Sequence, residues 1–139
     1  MGDSGRWLID KSAYARLRLS PDELTWVDRI QRGLVYVATP TLLEIGYSVR
    51  SGDEWERFQK HPPVSEMPTA LFSERVDSRA LEVQGLLARR GHHRAAKVPD
   101  LLIAAIAELS DLTVLHADKD FELIADITGQ PMERLTGDF

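Results

Sequence analysis

Residues 98–109, VPDLLIAAIAEL, narrow the folds open to this chain more than any other stretch. Proline near the start specifies a helix beginning there, and the residues after it are apolar almost all the way round. A helix of that kind belongs in the interior, with other elements on every side. The elements to enclose it are short apolar runs at residues 6–10, 34–38 (LVYVA) and 112–117 (LTVLHA), rich in β-branched and aromatic residues and so expected as strands. Helical patterns lie between them. Strands joined by helical crossovers imply a parallel sheet covered on both faces.

The remaining elements are read from their punctuation. Ser12 starts a short helix over 12–17. Within SPDELTWVDRIQRG (20–33), Ser20 is the expected N-cap, Pro21 the first helical residue, Glu23 the return arm of a capping box and Gly33 the terminator. Leu24, Val27 and Ile30 form its apolar stripe. Thr39 caps a helix with Pro40 at its first position, and a further helix over about 53–60 precedes the breakers His61-Pro62-Pro63. A long helix over 69–90 carries Val76, Ala80, Val83 and Leu87 at helical spacing and stops at Gly91. DFELIAD is a last helix closed by Gly129, and MERL a last short strand. No repeat or linker interrupts this pattern, so residues 1–139 are expected as one α/β domain.

Composition excludes several classes. Of 139 residues, 43% are hydrophobic and 28% charged, an ordinary globular balance. Cysteine is absent, which removes disulfides and thiolate metal sites and fits a reducing cytoplasm. The longest apolar run, 101–107, is too short to span a bilayer, and the run at 7–9 too short for a signal-peptide core. The expected protein is cytoplasmic, with no membrane partner.

Ligands of an open parallel sheet bind beyond the carboxyl ends of its strands. That rule selects Asp10, ending the first strand; Glu44, about one turn into the helix after the second; Asp100, in the first turn of the apolar helix; and Asp118, just past the third strand, with Asp120 two residues on. Helix capping accounts for Asp100 or Asp120 taken singly. It accounts poorly for Asp10, at a strand end, and for Glu44, flanked by Leu42, Leu43 and Ile45. Carboxylates brought together repel one another, and a hard divalent cation such as Mg²⁺ or Mn²⁺ relieves that repulsion. Setting these five acids aside leaves 17 of the 22 to balance 17 lysines and arginines, so the net charge of −5 does not exclude an RNA partner. LLARRGHHRAAK (86–97) offers Arg89, Arg90, Arg94 and Lys97 as RNA contacts just before Asp100; a solvated helix end is the plainer reading. Its adjacent histidines do not share a helix face, which argues against a His-based metal site.

In that order and spacing, WLIDKSA, TPTLLEIGYS, VPDLLIAAIAEL and LHADKDFELIA resemble the PIN-domain nucleases, and among them the VapC-type toxins of toxin–antitoxin pairs. The resemblance spans nearly the whole chain. It implies a three-layer α/β/α fold with a central parallel sheet of four to five strands. It further implies a Mg²⁺-dependent endoribonuclease, with Mn²⁺ able to substitute, cutting structured RNA such as tRNA or rRNA. Asp10, Glu44, Asp100 and Asp118 would be its catalytic and metal-binding acids, with Asp120 beside them as a further ligand and Ser12 ordering the site. A VapB-like antitoxin, a homodimer and a higher toxin–antitoxin assembly are implied partners. Two positions depart from the family pattern: Lys11 and His116 stand where threonine is commoner, and neither removes a ligand. The non-enzymatic alternative is an α/β protein-binding module whose acids are only helix caps. For dimer and antitoxin contacts the sequence itself offers Trp26, Trp55, Phe58, Leu71 and Phe72, on or next to the early helices, with core packing the plainer reading for most of them, and residues 67–72 (MPTALF) as the preferred apolar surface.

Overall fold

The structure, a computed structural model, describes residues 5–139. Four strands, β1 (Trp7–Ile9), β2 (Val35–Tyr36), β3 (Thr113–His116) and β4 (Met132–Arg134), form one sheet in the order β2-β1-β3-β4. All neighbours are parallel, in registers that include Leu8 with Val114 and His116 with Arg134. Each crossover contains helices: α1 (Lys11–Tyr14) and α2 (Glu23–Gln31) between β1 and β2; α3 (Thr39–Ser48), α4 (Gly52–Lys60), α5 (Glu74–Arg89) and α6 (Val98–Leu109) between β2 and β3; α7 (Asp120–Thr128) between β3 and β4.

Side-chain alternation along β1 and β3 divides the core into two layers. Trp7, Ile9 and Leu115 face α1 and α2, where Ala13, Trp26 and Ile30 complete one cluster. Leu8 and Val114 face α5, α6 and α7, where Val76, Val83, Leu87, Ile103, Ile106, Phe121 and Ile124 complete the other. This is the expected three-layer arrangement. The apolar helix is α6, with Leu101 and every residue from Ile103 to Ala107 buried. Burial of a side chain such as Ile103 or Ile106 contributes roughly 1.5–3 kcal/mol, so α6 is the main fastening between sheet and outer helices.

Several details differ from the sequence-based expectation; in α3 the N-cap is Ala38, with Thr39 the first helical residue and no side-chain cap, and three more concern α2 and α5. In α2 the stripe turns: Leu24 is 82% exposed and Val27 is partly exposed, while Trp26 is 2% exposed. Trp26 meets Trp7 edge-on at 5.1 Å, and the Arg29 guanidinium lies 4.5 Å from both ring centres. Burying an indole against an indole outweighs burying Leu24. α2 also begins at Glu23, because Ser20 spends its hydroxyl on the Asp22 N–H, one turn before the helix. Finally, α5 begins at Glu74 rather than near 69. Residues 68–70 instead pair with Val37: its N–H donates to Pro68 O at 2.9 Å, and its carbonyl accepts from the Ala70 N–H at 2.8 Å. Of the MPTALF stretch, Met67 and Ala70 are buried, while Leu71 and Phe72 are exposed.

Candidate metal centre and its surroundings

The carboxyl ends of β1 and β3 are tied together before any ligand is considered. Asp10 is 4% exposed, and its N–H donates to Leu115 O at 2.9 Å. Its Oδ2 accepts from the Ser12 N–H at 2.9 Å and from Ser12 Oγ at 2.6 Å, which caps α1. Ser12 Oγ in turn accepts the Ala117 N–H at 2.9 Å, across from β3. One hydroxyl thus holds the first acid and the loop carrying Asp118. The sequence placed Ser12 as helix cap; Asp10 takes that role, and Ser12 becomes the bridge.

Asp118 follows as β3 ends. Its Oδ1 accepts the Asp120 N–H at 3.0 Å, and its own N–H donates to His116 Nδ1 at 3.2 Å. His116 is 2% exposed, its ring 5.1 Å from that of Phe121, and burial lowers its pKa. A neutral imidazole with Nδ1 free of its proton is what that N–H requires. His116 therefore orders the backbone at Asp118, which answers one departure from the family pattern.

Asp100 is in the first turn of α6, 6% exposed, and accepts the Lys97 N–H at 3.2 Å. Burial first, then the charges of Asp10 and Asp118, push its pKa up to about 7. Glu44, half-buried on α3, is also raised, by burial and then by Asp10, with Lys11 and Lys97 opposing. These mutual effects show that acids from four different elements share one field.

Asp10, Glu44, Asp100 and Asp118 line a single cleft of about 440 Å³, together with Ser12 and five cations: Lys11, Arg16, Lys97, Lys119 and Arg134. Asp120 does not line it; its backbone supports Asp118 from the first turn of α7. Of the basic residues expected from 86–97, only Lys97 reaches the cleft, while Arg89, Arg90 and Arg94 are exposed outside it. Arg16, Lys119 and Arg134 had no part in the sequence reading. Among the described residues, no three acidic or imidazole side chains stand close enough to form a ready-made ligand cage. The four acids share the lining of the cleft. Their chemistry, all oxygen and no sulfur, fits a hard divalent cation.

A second, shallower depression of about 380 Å³ adjoins the first and shares Lys11 and Glu44 with it. Its walls are apolar, with Leu43, Tyr47 and Val98 exposed. A third, of about 430 Å³, is lined by Tyr14, Leu17, Val27, Ile30, Pro62 and Pro63 among others. Among the described residues no helix is long and apolar enough to cross a membrane.

Fold and cleft together define a three-layer α/β protein with an acidic centre, rimmed by cations, at the carboxyl edge of a parallel sheet. Comparison with known proteins makes the class specific. Residues 8–127 match the PIN domain. The chain is 58% identical to Ribonuclease VapC2 of Mycobacterium tuberculosis (strain CDC 1551 / Oshkosh), over 94% of this chain and 93% of that protein. It is 38% identical to Ribonuclease VapC21 of the same organism, over 92% of each. Among solved structures, VapBC2 from Rickettsia felis bound to a promoter DNA fragment superposes with a TM-score of 0.76 at 15% identity, covering 94% of this chain and 98% of that one. DNA-bound VapBC from Salmonella typhimurium gives 0.74 at 16% identity, over 93% and 97%. The chain belongs to the PIN-domain family, and within it to the VapC group.

Proposed function

We propose that this protein is a cytoplasmic, divalent-metal-dependent endoribonuclease toxin that cuts structured RNA, tRNA or rRNA, and is held in check by a VapB-like antitoxin. The observation that carries the reading is the convergence of Asp10, Glu44, Asp100 and Asp118 on one cleft. These four would hold Mg²⁺, or Mn²⁺ in its place, with Asp120 supporting Asp118 rather than reaching the ion itself. The ion supplies a water of lowered pKa and a counter-charge for the phosphodiester. Within the chain, Ser12 keeps Asp10 and the 117–118 backbone in register, His116 fixes the Asp118 amide, and Lys97 offers charge to the substrate with Arg89, Arg90 and Arg94 along its approach. In-line attack by water breaks the bond to the 3′ oxygen, so the products carry a 5′-phosphate and a 3′-hydroxyl. An attack by the RNA's own 2′-hydroxyl would leave a 5′-hydroxyl instead.

The partners follow from exposed apolar surface beside charged surface. The Leu43, Tyr47 and Val98 depression is the candidate homodimer face, since it abuts the cleft. The groove beside Leu17, Val27 and Pro62 is the candidate seat for the antitoxin in a larger toxin–antitoxin assembly. The family relatives named as ribonucleases, and the structural neighbours solved as VapBC complexes, support both parts of the proposal.

Three experiments test it. EDTA is expected to abolish cleavage of labelled total RNA, with Mn²⁺ restoring it; Mn²⁺ is also expected to raise the melting temperature of the wild-type protein but not of Asp10→Asn. Full activity in EDTA, or an equal shift in both proteins, contradicts the metal assignment. Ser12→Ala is expected to weaken Mn²⁺ binding by about 10–100-fold, as loss of a residue orienting a ligand does, which isothermal titration measures. An unchanged affinity removes Ser12 from the site.

A further inference from the structure

The cations of the cleft are arranged unlike those of an ordinary charged surface. Lysines and arginines close to carboxylates normally settle into ion pairs. Here Lys11, Arg16, Lys97 and Lys119 line a cleft with four acids, yet among the described residues none of them comes within ion-pair distance of a carboxylate. Arg134 makes one loose contact, 3.8 Å to Glu122, in which both side chains are largely exposed, and Glu122 is not a cleft residue. Such a pair is worth little. The two sets of charge are held apart, the acids over the ends of β1, β3 and the helices α3 and α6, the cations around them.

Local structure explains the separation. The Arg16 guanidinium is engaged by a neutral partner, donating to Ser12 O at 2.9 Å, which sets it beside Asp10 without reaching it. Lys119 precedes α7, one residue beyond Asp118. Arg134 ends β4 in register with His116, so it emerges at the same sheet edge as the β3 acid. Lys119 and Arg134 therefore flank the acids from the β3–β4 side of the sheet, and Arg16 lines the same cleft from the end of α1.

We propose that Arg16, Lys119 and Arg134 form a phosphate-binding track, along which the backbone of a polynucleotide leaves the acidic centre towards β4. This rests on the ribonuclease reading and adds to it the direction of the bound strand. With a divalent ion neutralising the acids, the cleft turns electropositive; Arg16 and Lys119, which no carboxylate occupies, and Arg134, held only by its loose exposed contact to Glu122, stand ready for successive phosphates. The track is distinct from the basic segment 89–94, which lies outside the cleft.

Salt dependence tests it, because each cation that contacts a single-stranded phosphate contributes about 0.7 to the slope of log K against log salt. The probe is a fluorescein-labelled RNA hairpin with a single-stranded tail; the parent is the protein with all four acids intact, measured with Ca²⁺ in place of Mg²⁺ so that the acids are neutralised while the RNA stays intact. Relative to that parent, R16Q/K119Q/R134Q is expected to lower the slope by about 2 and to weaken binding at least tenfold at low salt. Because Arg16 also braces α1, K119Q/R134Q, two exposed positions, is measured beside it and should lose rather more than 1. The control R57Q/K60Q removes the same charge from exposed positions of α4 that do not line the cleft, and should keep the parental slope. An unchanged slope in both track variants, or an equal loss in the control, overturns the proposal. So does equal loss of polyglutamate binding, which makes the rim a general anion surface. Failure of the wild-type protein to cut RNA is a separate result, and it removes the ribonuclease reading itself.

Discussion

Asp100→Asn is expected to lower RNA cleavage by about 10³-fold or more while making the metal-free protein more stable at pH 8. The loss follows from removing one anionic donor from a site whose ion contributes several kcal/mol to the transition state. The gain follows from the pKa of about 7, well above the usual 3.8. Between those values the folded protein binds a proton that the unfolded chain has released, so stability falls as pH rises from about 4 to 7, and the full penalty applies above 7. An asparagine never ionises and escapes that penalty, whose upper bound is about 4 kcal/mol. At pH 8 in EDTA the variant should melt roughly 3–10 °C higher than wild type; near pH 4 the two should coincide. With Mn²⁺ present the order should narrow or reverse, since the wild type alone gains from binding. A variant less stable than wild type at pH 8 in EDTA contradicts the idea that these acids strain the fold.

Phe121→Ala is expected to cost about 3–5 kcal/mol, a large part of the stability of a domain this size. The Phe121 ring is wholly buried, packs on His116, and belongs to the layer between α7 and the sheet. Its N–H also donates to Asp118 O at 3.2 Å. A cavity there loosens both the core and the loop that presents Asp118. Urea denaturation should show the loss, and Mn²⁺ affinity should drop with it. Leu81→Ala, at an exposed position of the neighbouring α5, should change stability by less than about 0.5 kcal/mol. Equal effects from the two substitutions contradict this account of how the core positions the site.

The sequence made the layers legible and hid their details, for physical reasons. An all-apolar helix has one environment open to it, so α6 was readable without its neighbours. The buried face of α5, Val76, Ala80, Val83 and Leu87, followed from period alone. The start of α5 did not, because residues 68–70 are claimed by Val37, more than thirty positions away in sequence. The face of α2 was equally out of reach: helical spacing offers both Leu24 and Trp26, and only the position of Trp7 decides between them. At the site, the rule that ligands lie past strand ends found the four acids that line the cleft. Applied to cations, the same rule selects Lys119, which follows Asp118, and Arg134, at the end of β4. Arg16 needed the turn of α1 to be known. Asp120 shows the limit of the rule, since a residue beside a site in sequence serves it through its backbone.

The central claim is that Asp10 and its neighbours make this PIN domain a metal-dependent ribonuclease. The most direct measurement is ligation-based sequencing of RNA 5′ ends, with and without prior 5′ phosphorylation so that phosphate and hydroxyl ends are told apart, after inducible expression of the wild-type protein and of Asp10→Asn. The account predicts one or a few discrete new 5′-phosphate ends in structured RNA with the wild type, absent with Asp10→Asn. The same ends from both proteins, or new ends that carry a 5′-hydroxyl, contradict it.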